Sequence, residues 1–571
     1  MSFPLKIFYL LSIAAILLLG TLVYSNSFHG AFNFDDVNSI VDNAYIRNIH
    51  DLHHIWDFLP RRFLLYLSLA LNYHFNGLDV FGYHLFNLSV HLISAVLVWW
   101  LTLLTLSTPA MKEQRIASHA GTIALGAGLV FVAHPLQTEA VTYIVQRAAS
   151  MATMFYLASL CFYIRSRLLP KGFWAKTSYI AALILAIMAM FTKEISVTLP
   201  LIVLLYEFSF FRTKKGLNWG YVAPFLLALL VIPLTMVTTE SLKAHQIRGI
   251  WAQKPADISS AHYLLTQFRV MVTYIRLIVL PFHQNLDYDY PISKSIFEWP
   301  AFLSFIFLLG ILYLAKQLFL KHRLISFCIF WFFLTLIPES SFLPLRDVIF
   351  EHRLYLPMAG VSILIVASVY YLCARHYLRF IGILLMAITC FSIMTFQRNK
   401  VWKGEFTLWN DTLGKSPHKA RPFNNRGLAY FHQGQYAQAI SDYNNAIKVD
   451  PKYAEAYYNR GLSLDQVRYY PESLLDYDKA IELKPWYGDA YINRGFIYAR
   501  QGKFDQALIN FTRAIEINPE NAEAYCNRAI VYYLLKDYDK SWNDVHKAQS
   551  LRIAFDPKFI SQLKIASGRD K

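Results

Sequence analysis

Charged side chains are scarce in this sequence, and the scarcity is uneven. They make up 16% of the 571 residues, whereas apolar residues make up 56%. A soluble protein of this size carries about a quarter charged residues. The apolar excess is concentrated before about Lys400, and the remainder has an ordinary soluble composition. This break predicts a multi-span membrane domain over residues 1–400 and a soluble C-terminal part.

Several motifs of nucleotide and metal chemistry are absent as well. The chain has no glycine-rich phosphate loop, no H-E-x-x-H or G-x-S-x-G motif and no C-x-x-C pair. These absences argue against a cytosolic ATP or nucleotide-sugar site, a metalloprotease, a serine hydrolase and a primary pump. The five cysteines lack the spacing of a disulfide framework or a metal site. No cofactor and no metal site are predicted, although a requirement for a divalent metal is left open.

The net charge of +16 comes mainly from short loops between apolar runs. Basic loops of this kind are typical of the cytoplasmic side of a membrane protein, not of a surface that binds nucleic acid. No nucleic-acid partner is therefore expected. The basic loops are Lys112–Arg115, Arg165–Lys176, Arg212–Lys215, Lys321–Arg323 and Arg375–Arg379.

Eleven apolar runs predict spanning helices, since a helix needs about 20 apolar residues to cross the hydrocarbon core. The stretch Tyr263–Pro281 is also apolar, but Arg269 and Arg276 favour an interfacial or re-entrant position. The first run has the length of a retained helix rather than of a cleaved signal peptide. The eleven runs are Leu5–Tyr24, Tyr83–Leu106, Ala120–Val132, Ser150–Ile164, Thr177–Phe191, Val197–Phe211, Tyr221–Val237, Trp299–Leu318, Leu324–Ile337, Leu356–Cys373 and Ile381–Phe396.

The basic loops also predict the orientation of the chain. With the N-terminus inside and eleven spans, all five basic loops fall on the cytoplasmic side. Everything after Phe396 then lies outside, together with four earlier stretches. These stretches are Ser25–Gly82, His134–Arg147, Thr239–Glu298 and Pro338–Tyr355.

From Ala420 the sequence repeats with a period of 34 residues. Gly427, Gly461 and Gly495 recur at one phase, and prolines and alanines recur at two others. This period and pattern are typical of tetratricopeptide repeats, in which small residues let paired helices approach closely. Four repeats are predicted over residues 420–555, followed by a tail over residues 556–571. The predicted fold is therefore all-α throughout: a membrane bundle and an α-solenoid.

One asparagine recurs at the same position of each repeat. In the first helix of a repeat this position normally faces the concave groove, where an amide can hydrogen-bond the backbone of an extended peptide. The alternative is that N-R-G is simply a common repeat consensus. Both interpretations stay open for Asn425, Asn459, Asn493 and Asn527.

Ionisable residues cluster in the stretches predicted to lie outside. Asp35 and Asp36 follow the first span, and alone such a pair is more often a solvated turn than a catalytic site. Charged groups at membrane depth are costly, so several clusters on one side point to a shared polar pocket. Besides the aspartates, its candidate residues are His134, Glu139, Arg147, Lys193, Glu194, His352 and Arg353.

Such a pocket suits a reaction in which a lipid-linked phosphate leaves. An acceptor hydroxyl needs a carboxylate as general base, and the departing phosphate needs cationic or N–H groups near its growing charge. Both residue types are present in the predicted pocket.

Four motifs in this order resemble one known family, the transmembrane and tetratricopeptide-repeat containing O-mannosyltransferases. They are F-D-D after the first span, H-P-x-x-T-E-A-V followed by R-A, K-E before a span, and R-L-Y-L-P before a late span. The resemblance covers nearly the whole chain. It implies the C-type glycosyltransferase fold, a polyprenyl-phosphate sugar as donor substrate, a base at Asp35 or Asp36, and non-cytoplasmic repeats.

Two departures favour a bacterial relative. Only four repeats follow the bundle, and N-L-D-Y-D-Y-P over residues 285–291 is closer to bacterial sequences. We expect an inverting transferase of the inner membrane that moves a sugar to a protein hydroxyl, with Asp36 as the first choice of base and Asp35 as the second. Arg147, Lys193 and Arg353 are expected to bind the carrier phosphate, and the repeats to bind the acceptor protein in the periplasm. En bloc oligosaccharide transfer and a non-catalytic scaffold or lipid-carrier translocase are the alternatives.

Overall fold

A computed structural model describes residues 3–212, 216–231, 258–341, 343–373, 376–551 and 553–569. Several predicted segments lie partly outside these described residues. They are the span Tyr221–Val237, the outer stretches Thr239–Glu298 and Pro338–Tyr355, the basic loops Arg212–Lys215 and Arg375–Arg379, the last of the four repeats and the tail over residues 556–571.

The described residues form helices joined by loops and contain no β-strand, which confirms the predicted fold class. They divide into two compact units, the first within residues 3–415 and the second within residues 416–569. The helices of the first unit are α1 Phe3–Val23, α2 Leu52–Phe58, α3 Phe63–Asn76, α4 Val80–Leu106, α5 Ala120–Ala133, α6 Thr138–Thr142, α7 Arg147–Leu168, α8 Phe173–Met190, α9 Leu199–Tyr206, α10 Trp219–Leu227, α11 Ser260–Val279, α12 Trp299–Leu318, α13 Arg323–Leu336, α14 Pro357–Cys373, α15 Tyr377–Asn399 and α16 Glu405–Lys415.

Within the described residues, eight helical segments are long and apolar enough to cross a membrane. Three shorter apolar helices, Trp219–Leu230, Arg323–Leu336 and Pro357–Cys373, overlap the remaining predicted spans. In the segment Ile144–Leu168, which contains α7, 83% of an 18-residue window is buried within the protein, compared with 17% of such a window in Trp299–Leu318. Helix α7 therefore lies at the centre of the bundle, and α12 lies at its periphery, where lipid would cover its apolar surface.

Helix α11 contacts several of the predicted outer segments. Near its start the Tyr263 hydroxyl donates to the Glu339 carbonyl (2.8 Å), and near its end the Ile278 carbonyl contacts His134 Nε2 (3.0 Å). Between them the Tyr274 hydroxyl donates to the Phe350 carbonyl at 2.9 Å. The helix also packs against α12, with the rings of Phe268 and Phe305 5.0 Å apart. The interfacial or re-entrant position of Tyr263–Pro281 therefore stays a prediction.

Segments predicted to share a side of the membrane contact one another. Asp36 accepts a hydrogen bond from Val145 N–H, and Lys193 pairs with Glu339. Two of the basic loops meet in the same way, because Gln114, Lys321 and Tyr371 line one small cavity. The bundle thus has a polar layer formed by the predicted outer segments and a separate basic layer.

The second unit consists of paired helices at the predicted spacing. An added Cβ at Gly427, Gly461 or Gly495 would stand only 2.7 to 2.9 Å from an aromatic ring of the paired helix. These glycines are therefore required for the close approach that the repeat pattern predicts. The helices are α17 Ala420–His432, α18 Tyr436–Val449, α19 Ala454–Gln466, α20 Tyr470–Leu483, α21 Gly488–Arg500, α22 Phe504–Ile517, α23 Ala522–Leu534, α24 Tyr538–Ser550 and α25 Pro557–Ser567.

The arginine beside each asparagine of the column connects the helices of the solenoid. Arg460 donates two hydrogen bonds to the Asp476 carboxylate of its own repeat, at 2.8 and 2.6 Å, and one to Asn444 of the preceding repeat. Arg426 and Arg528 make the same paired contact with an aspartate 16 positions later. The N-R-G triplet therefore has a structural function through its arginine.

Candidate active site

The first outer loop separates the two adjacent aspartates. The preceding residue, Phe34, has a φ of +51°, a left-handed conformation that is uncommon for a residue with a side chain. Asp36 is then buried, with 1% of its surface exposed, whereas Asp35 is exposed. Burial therefore distinguishes two carboxylates that are adjacent in the sequence.

Asp36 attaches the loop to the start of the central helix. One carboxylate oxygen accepts a hydrogen bond from Val145 N–H at 2.7 Å, and the other accepts from Asn33 N–H at 3.0 Å. Burial raises the pKa of Asp36 to about 8, although both backbone N–H groups act in the opposite direction. Because the Asp36 carboxyl group is buried and already accepts hydrogen bonds from two backbone N–H groups, it is suited to positioning the loop and not to contacting a substrate.

This burial predicts a pH dependence of stability. Because the folded-state pKa of Asp36 lies above its ordinary value of 3.8, the folded chain holds this proton more tightly than the unfolded chain. The contribution is fully present below about pH 4 and is lost as pH rises through about 8. We expect the melting temperature of the purified chain to fall over this window. In the Asp36→Asn variant, which has no such proton, the fall should be smaller, and an equal fall would contradict the assignment.

Asp35 lies beside a buried tyrosine. Its backbone N–H donates to the Tyr143 hydroxyl at 3.0 Å, and the Tyr143 ring stacks on Trp402 with centroids 5.3 Å apart. Burial raises the pKa of Tyr143 well above its ordinary value, and the charges of Asp35 and Asp36 raise it further. The exposed carboxylate is thus carried on a backbone that a rigid aromatic pair holds in place.

Glu139 organises the turn that contains Glu351, His352 and Arg353. Its carboxylate accepts hydrogen bonds from the N–H groups of Glu351 (2.9 Å) and His352 (3.2 Å) and contacts the His352 ring at 2.7 Å. Burial raises the pKa of Glu139 to about 7, and burial followed by the Lys193 charge lowers the pKa of His352. His352 is therefore neutral at pH 7 and does not add a positive charge to the layer.

Lys193 and Arg353 lie in the same layer but are largely covered. Lys193 Nζ pairs with Glu339 Oε1 at 3.0 Å, with side chains 7% and 15% exposed. Arg353 is 6% exposed and donates to the carbonyls of Val348 and Asp347. Both cations therefore lie in the predicted polar layer, and both already contact oxygen atoms of the chain.

Glu194, which follows Lys193, holds two arginines that the sequence did not single out. Arg62 contacts both of its carboxylate oxygens, at 3.0 and 3.3 Å, and Arg61 Nε lies 3.1 Å from one of them. Tyr66 follows Arg62 by one turn: burial raises the pKa of Tyr66, the Arg62 charge lowers it, and the Asp35 charge raises it.

Arg147 and His134 are structural in this geometry. Arg147 has no exposed surface and donates to Asn87 Oδ1, the Ser68 carbonyl and the Tyr83 carbonyl. His134 has none either, and its ring nitrogens contact Ile278 O and Leu136 N–H. These positions oppose the predicted contact of Arg147 with a carrier phosphate and leave neither residue open to a sugar.

The asparagine column of the repeats is partly exposed and partly occupied. Asn459 donates to Asn424 at 2.9 Å, Asn493 donates to the Tyr458 hydroxyl at 3.0 Å, and Asn425 accepts from Asn424. The first two bonds link successive first helices, so part of the column's hydrogen bonding is structural. Each of the four asparagines, Asn425, Asn459, Asn493 and Asn527, still retains exposed surface.

Known proteins match both parts of the chain. The family described as TPR repeat matches residues 421–466 and 497–536, and that described as tetratricopeptide repeat matches residues 454–485. The human protein O-mannosyl-transferase TMTC3 is 26% identical over 481 residues, covering 75% of this chain and 50% of its own. The Caenorhabditis elegans protein O-mannosyl-transferase F38B6.6 is 24% identical and covers 76% of this chain and 61% of its own.

Its homologues are protein O-mannosyl-transferases. This confirms the resemblance that the four motifs indicate, although the chain spans only about half to three fifths of these homologues' length. Among solved structures, one titled "Crystal structure of MamA" matches 26% of this chain and 86% of its own at 24% identity, with a TM-score of 0.24.

The residues that the sequence analysis missed share one property: their partners are distant along the chain. Arg62 and Glu194 are 132 positions apart, and Glu351 receives hydrogen bonds from Gln284, Asn285 and Tyr288 across more than 60. The R-R pair at residues 61–62 was the one visible signal, since two charges in a row interrupt an apolar stretch. Homology to the O-mannosyl-transferases does not by itself assign roles to these residues.

Proposed function

We propose that this chain is an inverting membrane glycosyltransferase that moves a sugar from a polyprenyl-phosphate carrier to a protein hydroxyl. The observation that carries the proposal is the exposed Asp35, which lies in the same polar layer as a group of cations. The names of the homologues add protein as the acceptor and favour mannose as the sugar. A bacterial inner membrane, with the repeats in the periplasm, completes the proposal.

In the proposed reaction Asp35 is the general base. Its carboxylate takes the proton of the acceptor hydroxyl, and the hydroxyl oxygen attacks the anomeric carbon of the sugar. The bond from that carbon to the carrier phosphate oxygen breaks on the opposite face, so the configuration inverts. The phosphate leaves with the electron pair and gains negative charge, which nearby cations stabilise. Asp36 positions the loop, in reversal of the order of preference that the sequence analysis favoured.

The other candidate residues of the predicted pocket have supporting roles in this proposal. Lys193 and Arg353 contribute positive charge from beneath the surface of the layer, and Glu139 holds the His352 turn in place. Arg147 and His134 hold the helices that carry the site.

The repeats are proposed to bind the acceptor polypeptide. Tetratricopeptide repeats present a concave surface formed by their first helices, and extended peptides are bound there through the backbone. The exposed part of the asparagine column supplies amide groups of the required type.

The proposal is tested by comparing glycopeptides from cells that contain the wild-type chain with those from cells that contain the Asp35→Asn chain. We expect a set of peptides to lose one added hexose on serine or threonine in the variant cells. Loss of a larger glycan would instead support en bloc oligosaccharide transfer. An unchanged glycopeptide set would support the non-catalytic scaffold or translocase and contradict the proposal.

A further inference from the structure

The cations first predicted to bind the carrier phosphate are not accessible to it. Arg147 is completely buried, and Lys193 and Arg353 are each 6% exposed. Each of them already donates to, or pairs with, oxygen atoms of the chain. Any phosphate in this layer therefore needs a different first contact.

Arg61 and Arg62 are the accessible alternative. Their side chains are 37% and 33% exposed, and both contact the single carboxylate of Glu194. Two guanidinium groups on one carboxylate leave one positive charge in excess. Arg61 Nε lies 3.1 Å from Glu194 Oε1, and 37% of the Arg61 side chain remains exposed to a further anion.

The chain holds this pair rigidly in the polar layer. Pro60–Arg62 form one 3₁₀ turn directly before α3, and the N–H of Leu64 donates to the Phe191 carbonyl, two residues before Lys193. Tyr66, one turn further along α3, experiences the charges of both Arg62 and Asp35. Asp35 and Arg62 are therefore both near enough to Tyr66 for their charges to shift its pKa.

We propose that Arg61 and Arg62 form the anion site that receives the phosphate of the lipid carrier. This inference rests on the proposed function and names the ligands of its leaving group. A sugar phosphodiester carries one negative charge, and cleavage of the sugar–oxygen bond converts it to a monoester, which can carry two. A planar guanidinium binds two phosphate oxygens at once, and the excess positive charge favours the product state. Glu194 holds the pair together while the site is empty and limits its affinity.

The test measures binding of a polyprenyl monophosphate and of inorganic phosphate to the purified full chain in uncharged detergent. We expect Arg61→Gln and Arg62→Gln each to weaken binding of both probes about tenfold, the loss of one charge-assisted contact. Glu194→Gln should have the opposite effect and tighten binding of both, since it frees the arginines. Arg276→Gln is the control, because Arg276 is exposed on α11 and has no carboxylate within ion-pair distance among the described residues.

Two outcomes would overturn the inference. One is wild-type binding by both arginine variants, and the other is weaker binding by Glu194→Gln in a chain with wild-type melting temperature. If the arginine variants bind both probes more weakly, the phosphate group is the ligand. If they bind neither probe more weakly, or if only Arg276→Gln loses affinity, the phosphate binds elsewhere on the chain. Because binding is measured without sugar transfer, the outcomes separate the two proposals. An inactive wild-type chain that binds phosphate as expected refutes the function alone, and an active chain indifferent to Arg61 and Arg62 refutes the anion site alone.

Discussion

Replacing Asp35 with asparagine is expected to lower sugar transfer by about 10²- to 10⁴-fold, the usual contribution of a positioned general base. Asparagine has nearly the same shape as aspartate but cannot take the acceptor proton. The side chain is exposed, so the variant should fold and should melt at the wild-type temperature. The measurement is the initial rate of transfer from a polyprenyl-phosphate sugar to an acceptor peptide, with the melting temperature recorded on the same preparation.

Asp36→Asn is the matched control for this prediction. Asparagine retains one acceptor oxygen for Val145 N–H or Asn33 N–H but turns an NH₂ group toward the other donor. We expect a lower melting temperature and a partial loss of rate that follows the loss of folded protein. A folded Asp36→Asn chain without activity, beside an active Asp35→Asn chain, would return the role of base to Asp36.

Breaking the Lys193–Glu339 pair is expected to have the largest effect on stability. The side chains are 7% and 15% exposed, and removing one partner leaves an uncompensated charge in a covered position. Lys193→Met or Glu339→Gln alone should therefore cost about 3–5 kcal/mol, the usual penalty for breaking a buried ion pair. Denaturant titration of the purified variants, followed by fluorescence, measures the change.

The double variant Lys193→Met with Glu339→Gln provides the control. Removing both charges also removes the uncompensated charge, so the double variant should be more stable than either single variant. If the losses of unfolding free energy in the two single variants add up in the double variant, the two residues act independently, and the pair does not stabilise the contact between their loops.

The fold was largely predictable because its signals are local or periodic. Long apolar runs predict membrane helices from composition alone. The 34-residue period predicts the solenoid and the close helix contacts at Gly427, Gly461 and Gly495. The position of α11 relative to the membrane stays a prediction, because the helix contacts both residues 339–350 and the apolar helix α12.

The roles of the candidate site residues could not be assigned from the sequence, and the site itself stays a proposal. Asp35 and Asp36 are equivalent in the sequence, and the left-handed backbone at Phe34 and the burial of one carboxylate distinguish them. The motif around Arg147 predicts a phosphate ligand, but the Arg147 guanidinium donates its hydrogen bonds to amide and carbonyl oxygens of α3 and α4. Some ion pairs join residues that are more than a hundred positions apart in the sequence, such as Arg62 and Glu194. Such pairs depend on how the helices pack, which no local sequence pattern shows.

Sugar transfer with Asp35 as the base is tested most directly with the purified full chain in lipid nanodiscs. A polyprenyl-phosphate mannose labelled in the sugar is supplied together with a serine- and threonine-rich acceptor peptide. The account predicts that labelled peptide and polyprenyl monophosphate form in equal amounts, that the new linkage is inverted, and that both products are lost in Asp35→Asn. Donor that remains intact in the presence of folded wild-type chain and acceptor would contradict it.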